Sequence, residues 1–240
     1  MTGCPPAFEP IMGTVPPVEG HQRIQLGQMI HPVRGFLHGT AAVASLVGAV
    51  VLFVITPGSA WRRVSLVIFG LSLVGLFTVS SLYHSVPWRE IYKRRMQRLD
   101  HVMIYVLIAG TFTPLAAIVL DGWLRWATLA VQWGIVAVGV LEKTVRRTPS
   151  RNLSIALQMT QGWLAMLLIW PLSRRLPWTA LMLIGIGGAL YTVGMVFLVT
   201  NRPRLWPRVF SYHELFHIFV IAAASLHFAA ISGYVLRFGV

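Results

Sequence analysis

The chain has 240 residues, of which 56% are hydrophobic and 11% charged, and its mean hydropathy is +0.69. This composition is typical of a membrane protein and excludes an ordinary soluble domain. The net charge of +13 would suggest nucleic acid in a soluble protein, but the basic residues lie almost wholly between apolar runs. Membrane topology and anionic lipid explain them better, so no nucleic-acid partner is expected. The single cysteine, Cys4, allows neither an intrachain disulfide nor a cysteine-based metal site.

Residues 1–34 are predicted to be a flexible, proline-rich cytoplasmic tail. The segment contains six of the fourteen prolines and little apolar patterning. A signal peptide is not expected, because no apolar core with a small-residue cleavage pattern follows a basic start. The membrane domain is therefore expected to occupy residues 35–240.

Seven apolar runs follow the tail, and each is close to the roughly 20 residues that cross about 30 Å of hydrocarbon. They lie at about 35–56, 63–84, 99–120, 122–141, 153–173, 177–200 and 213–236. We therefore predict an all-α, multi-pass protein of the plasma (inner) membrane, with a seven-helix transmembrane bundle. The small residues of 185–194 predict close helix contact in the sixth span.

The distribution of Lys and Arg predicts the orientation of the bundle. Fourteen lie in the tail and in the connections after spans two, four and six, against six on the other side. The N-terminus is therefore expected in the cytoplasm and the C-terminus outside. Span two then ends, and spans three and seven begin, at the cytoplasmic face, where the basic stretch 88–98 is expected to hold anionic lipid head groups. The ionisable residues expected near this depth are His38, His84, Asp100, His213 and His217. Asp121 and Glu142 lie at span ends, so they are expected beside water and need no partner.

The histidines at this depth have the chemistry of a metal site. His213 and His217 are four residues apart, which on a helix places them about 40° apart and about 6 Å apart along the axis. A neutral imidazole from His84 would complete a three-nitrogen site with an open fourth position, the pattern of catalytic zinc. Asp100 is well placed to orient a water molecule and take its proton. Ser80, one turn from His84, is a candidate to hydrogen-bond a ligand or a developing oxyanion.

Two competing interpretations of these patterns are less well supported. His213, Glu214 and His217 also spell H-E-x-x-H, in which the glutamate is the general base of a metalloprotease. No acidic residue follows Glu214, and the extended motif would need a histidine where Ala223 stands. We therefore expect Glu214 to lie at the interface or to support the ligands.

A retinal-binding or G-protein-coupled protein would also have seven spans. The only lysines, Lys93 and Lys143, are expected in cytoplasmic connections, so span seven has no lysine for a Schiff base. The cytoplasmic N-terminus further argues against the G-protein-coupled class.

Two further histidines have no ligand role assigned to them. His227 lies about 15 Å deeper than His217, so we expect a buried, hydrogen-bonded side chain there. His101 follows Asp100 and points about a quarter turn away, which leaves it either to orient the site or to face the lipid or the interface.

Three motifs in this order resemble the hemolysin III family, bacterial relatives of the progestin and adiponectin receptors within a wider group that includes alkaline ceramidases. The motifs are S-x3-H from Ser80 to His84, RLDHVMIYVLIAGTFTP over 98–114, and H-x3-H from His213 to His217. The resemblance covers roughly residues 35–238.

The resemblance implies a zinc ion held by His84, His213 and His217, with Asp100 hydrogen-bonded to the zinc water. It also implies hydrolysis of amide or ester bonds in membrane lipids. The alternative is a non-enzymatic membrane protein with a structural zinc, either a receptor-like regulator of lipid homeostasis or a cytolysin. Many family members carry an acidic residue and an Asn shortly before the position of His38, where this chain reads HPVRGFLHG. His38 is therefore expected to support the site rather than bind the metal.

Overall fold

The computed structural model describes residues 29, 31–146, 149–206 and 209–239. These residues contain seven helices that are long and apolar enough to cross a membrane, which confirms the predicted all-α bundle. The helices are α1 (Pro32–Ile55), α2 (Ala60–Ser85), α3 (Glu90–Val119), α4 (Gly122–Val145), α5 (Arg151–Ser173), α6 (Trp178–Thr200) and α7 (Tyr212–Val235).

Helix α1 begins at Pro32, inside the segment predicted as the tail. Proline suits the first turn of a helix because its ring fixes φ and its missing N–H has no intrahelical partner there. Met29 and His31 are the other tail residues before the helix that the structure describes. The rest of the predicted tail lies outside the described residues.

Helix α3 differs most from its predicted bounds, because it includes most of the basic stretch that was expected at the interface. It begins at Glu90, whose carboxylate pairs with Arg94 at 3.1 Å on the exposed surface. The α-helical part ends at Pro114 and continues as a π-helical turn over Leu115–Val119. Proline lacks the N–H that would continue the ladder, so a change of helical type is expected at this point.

The centre of the bundle is formed by α3, the most buried span, followed by α2 and α7. Extensive contacts join α1 to α2, α2 to α3, and α6 to α7. The predicted site residues all lie on α2, α3 and α7, so the fold places them in its interior. Helix α2 ends, and α1, α3 and α7 begin, at the same end of the bundle. We call this end the histidine end.

Close contact between α6 and α7 depends on the small residues predicted for it. A Cβ at Gly187 would lie 2.5 Å from Nε2 of His227, and one at Gly194 would lie 2.9 Å from Cβ of Phe219. The His227 Nε2–H donates to the carbonyl of Ile184 at 3.1 Å. His227 is therefore the hydrogen-bonded histidine that its depth predicted.

A polar network of Glu142, Lys143, Ser150 and Ser154 joins α4 to α5, and it corrects two expectations. Glu142 was expected beside water without a partner and Lys143 in a connection, but both are buried within α4. Lys143 Nζ lies 3.3 Å from Glu142 Oε2 and 2.5 Å from the Ser154 hydroxyl, and Glu142 Oε1 accepts from the Ser150 amide at 2.7 Å. The Tyr105 hydroxyl donates to the Ser154 carbonyl at 3.2 Å, which connects α3 to the same network.

Candidate metal centre

Three histidines meet at the histidine end of the bundle. His84 lies in the last turn of α2, and His213 and His217 lie in the first two turns of α7. One nitrogen of each ring lies within 4.8 Å of the other two. The ring centroids are 5.3 Å apart for His84 and His213, 4.9 Å for His84 and His217, and 5.0 Å for His213 and His217. The structure therefore brings together the three residues that the sequence predicted as ligands.

His38 on α1 fixes the orientation of His217. Nδ1 of His217 lies 2.8 Å from Nε2 of His38, and both rings are buried. Among the described residues, the buried Nε2 of His217 has no hydrogen-bond partner. A proton on Nδ1 of His217, donated to His38, leaves a lone pair on Nε2 that is available to a cation. A hydrogen bond from the second nitrogen of a ligating histidine is the usual support of a metal site.

The three imidazoles fit a divalent transition metal. Imidazole nitrogen suits zinc, copper, iron and nickel, and three such ligands leave a fourth position open. In this structure the three ligand nitrogens lie within 4.8 Å of one another. Zinc–nitrogen bonds of about 2.1 Å need these nitrogens to be somewhat closer together than that upper bound. Rotation of the rings about their side-chain bonds can supply that change. The unpaired nitrogen of His217 is the observation that most directly supports a bound ion, because an unpaired buried polar atom is costly.

Ser80 and Asp100 lie beside the histidines on the two central helices. Ser80 is buried one turn before His84, and its hydroxyl lies near the Asp100 carboxylate of α3. Asp100 is partly buried. Among the described residues, the group able to hold a metal contains histidines alone, so Asp100 is not one of the ligands. This placement is compatible with the predicted roles of both residues.

Glu214 takes no part in the metal centre. Its Oε1 accepts a hydrogen bond from Nε of Arg34 at 2.7 Å, and its Oε2 accepts from the backbone amide of Ser211 at 2.8 Å. The carboxylate therefore caps the start of α7 and neutralises a buried arginine of α1. Both of its oxygens are occupied by structural contacts, which disfavours the metalloprotease interpretation.

Two residues near the centre were not singled out from the sequence. His31 donates its backbone N–H to the carbonyl of His84 at 3.1 Å, and the two rings lie 5.9 Å apart. It was missed because it precedes the first apolar run. The Arg34–Glu214 pair had a usable signal, since charged side chains at membrane depth are rarely buried without an opposite charge.

His101 does not point toward the histidines. It lies near the Glu142–Lys143 pair, and its carbonyl oxygen accepts from Nε2 of Gln158 at 3.5 Å. It is partly buried. The side chain therefore lies near the Glu142–Lys143 pair, which disfavours a role in orienting the site.

Comparison with known proteins agrees with the motifs. The family model described as "Haemolysin-III related" matches residues 30–228. The chain is 31% identical over 202 residues to a protein named "Hemolysin-3 homolog" of Bacillus subtilis (strain 168), covering 83% of this chain and 92% of that protein. It is 32% identical over 201 residues to "Hemolysin-3" of Bacillus cereus, covering 83% and 89%. It is 24% identical over 215 residues to the "Monocyte to macrophage differentiation factor" of Homo sapiens, covering 86% and 85%.

Proposed function

The chain belongs to the haemolysin-III-related family, and from this premise we propose that it is a zinc-dependent hydrolase of amide or ester bonds in membrane lipids. His84, His213 and His217 hold the metal in this proposal, Asp100 is the general base, and Ser80 assists. The observation that supports it most strongly is a cluster of three imidazoles at one end of the transmembrane bundle, with one buried ring nitrogen unpaired.

A zinc ion with three histidine ligands and an open position supplies Lewis acidity, which lets water lose a proton near neutral pH and polarises a carbonyl group. The Asp100 carboxylate accepts the proton of the attacking water. As the new carbon–oxygen bond forms and the bond to the leaving nitrogen or oxygen breaks, Asp100 returns that proton to the leaving atom. Ser80 holds the Asp100 carboxylate in one orientation through its hydroxyl. His38 keeps the ring of His217 turned toward the metal.

The histidine end faces the cytoplasm in this proposal, as the distribution of basic residues predicts, and the substrate enters from the cytoplasmic leaflet. Reporter fusions at the C-terminus test the orientation. A periplasmic phosphatase fused there should be active and a fluorescent protein that folds only in the cytoplasm should not; the reverse pattern would contradict the orientation.

Turnover of ceramide and of ester lipids by the purified, zinc-loaded protein in liposomes tests the activity. Asp100→Asn should lower the rate by about 10² to 10⁴ while the bound zinc remains. Ser80→Ala should lower it less, because the carboxylate is kept but not oriented. Equal rates for wild type and Asp100→Asn would refute the role of the base.

A second candidate is a non-enzymatic membrane protein with a structural zinc. The name "Hemolysin-3" of the Bacillus cereus relative favours a cytolysin of this kind. The same liposomes separate the candidates, because a cytolysin releases an encapsulated dye without changing the lipids. A hydrolase produces free fatty acid before any leakage begins.

A further inference from the structure

A small cavity lies directly beside the metal centre at the histidine end. Its volume is about 80 Å³, and His84 and His213 form part of its lining. Trp88, just before α3, and Lys93, in the first turn of α3, also line it. The cavity therefore joins the ligand set to a basic side chain that is exposed at the end of the bundle.

The charges around the cavity favour an anion. Its lining contains Arg34 and Lys93 and, among the described residues, no carboxylate. The charge of Arg34 is offset by Glu214 at 2.7 Å. The described residues form ion pairs with N–O distances within 4.0 Å, and none of these pairs involves Lys93. An anionic group in the cavity would thus gain a charge-assisted hydrogen bond from Lys93.

The size of the cavity is suited to a compact group. Its volume of about 80 Å³ is several times the minimum that one water molecule needs. A phosphate or a carboxylate is a compact anionic group of this kind. The cavity therefore suits a small anion.

The position of the cavity places it at the depth of lipid head groups. The indole Nε1–H of Trp88 donates to the carbonyl of Leu82 at 3.0 Å, which fixes the ring at the end of α2. Tryptophan is enriched at the membrane–water interface because its ring is apolar and its N–H is polar. An anion in this cavity would thus lie level with the head groups of the surrounding lipid.

An apolar groove lies on the outer side of α1 and α2 at the same end of the bundle. Its volume is about 450 Å³, and its lining includes Gly35, Ser85 and Val43. Gly35 directly follows Arg34, and Ser85 directly follows His84, and both of those preceding residues line the cavity. Consecutive residues of α1 and of α2 thus line the polar cavity and the apolar groove, and Gly35 and Ser85 pack closely against each other at this level.

We propose that the cavity binds the phosphate or carboxylate of a lipid head group, and that an acyl chain of the same lipid lies in the α1–α2 groove. As a statement about the substrate of the metal centre, the proposal rests on the hydrolase function above. Binding at this place is measurable without turnover, so the two can fail separately.

The test measures binding to the zinc-loaded Asp100→Asn protein in a non-ionic detergent, by native mass spectrometry. The probes are oleoyl lysophosphatidate, oleoyl lysophosphatidylcholine and inorganic phosphate. We expect lysophosphatidate to bind at least about tenfold more tightly than lysophosphatidylcholine, because its phosphate monoester carries more negative charge and has no choline cation to oppose Lys93. Inorganic phosphate should compete weakly, because it has no chain to place in the groove.

Two pairs of variants locate the binding. Lys93→Gln should remove the preference for the anionic lipid, whereas Arg95→Gln, an exposed charge on the same turn that does not line the cavity, should keep it. Val43→Trp fills the groove and should weaken lysophosphatidate binding about fourfold for each methylene group displaced. Val47→Trp lies one turn further along the exposed face of α1, outside the groove lining, and should have no effect. Zinc content and helicity confirm that each variant is folded.

Equal binding of the two lipids, or equal effects of Lys93→Gln and Arg95→Gln, would overturn the proposal. Inorganic phosphate binding as tightly as lysophosphatidate would also overturn it, because the cavity would then be a site for a free anion. A preference for the anionic lipid that depends on Lys93, in a protein that hydrolyses no lipid, would support the binding site and refute the hydrolase. Hydrolysis of both lipid types without that preference would support the hydrolase and refute the binding site.

Discussion

Replacing Glu214 should damage folding before it affects chemistry. The Arg34 Nε and Glu214 Oε1 atoms are 2.7 Å apart, and the two side chains are only 7% and 9% exposed. Water and salt screen such a pair weakly, and removal of one partner leaves the other charge buried. For pairs of this kind the cost is about 3–5 kcal/mol in the free energy of unfolding. We expect Glu214→Gln to fall in this range, because its amide oxygen can still accept from the Ser211 amide but carries no charge.

The assay is unfolding of the purified protein by SDS in mixed micelles, followed by circular dichroism. Glu214→Gln with Arg34→Met removes both charges and should recover most of the loss, with a coupling energy of up to about 3 kcal/mol. Glu90→Gln is the matched control, since its partner Arg94 and the carboxylate are 73% and 71% exposed. Its cost should be about 0.5 kcal/mol or less.

A catalytic glutamate would give the opposite result. In a metalloprotease, Glu214→Gln would abolish activity, keep the metal and leave the free energy of unfolding unchanged. A change within about 0.5 kcal/mol of wild type, or no recovery in the double variant, would refute the structural role assigned to the Arg34–Glu214 pair.

Two further predictions concern the surroundings of the site. His38→Phe should weaken zinc binding about 10- to 100-fold in a competition with a chelator, because His217 loses the partner of its Nδ1; unchanged affinity would show that the His38–His217 contact does not support the metal. Gly187→Ala should destabilise the protein by about 1–3 kcal/mol, because its Cβ would lie 2.5 Å from Nε2 of His227. Gly188→Ala is the control with nothing within 4 Å of the new Cβ, and an equal loss there would show that helix packing is not the cause.

The seven spans were predictable because apolar length alone decides whether a segment crosses the bilayer. The ligands were predictable for a related reason: polar side chains at membrane depth need partners, and His84, His213 and His217 fall at one depth once the topology is drawn. Both inferences need only the position of a residue along its helix.

What the sequence did not predict depends on how the helices are rotated against one another. His38 was expected to support the site, but no spacing in the sequence shows that its partner is His217, and none shows that Arg34 meets Glu214. Glu142 was expected in water because it lies near a span end, but α5 covers it and supplies Ser150 and Ser154 as partners. Contacts of this kind depend on crossing angles and side-chain fit, which a single sequence does not specify.

The metal content of the purified protein tests the central claim most directly. The wild-type protein should carry one zinc ion per chain, measured by elemental analysis. The double variant His213→Ala, His217→Ala should carry none while keeping its helical content, and Asp100→Asn should keep the full amount. Full zinc occupancy in the double histidine variant would contradict the proposed centre.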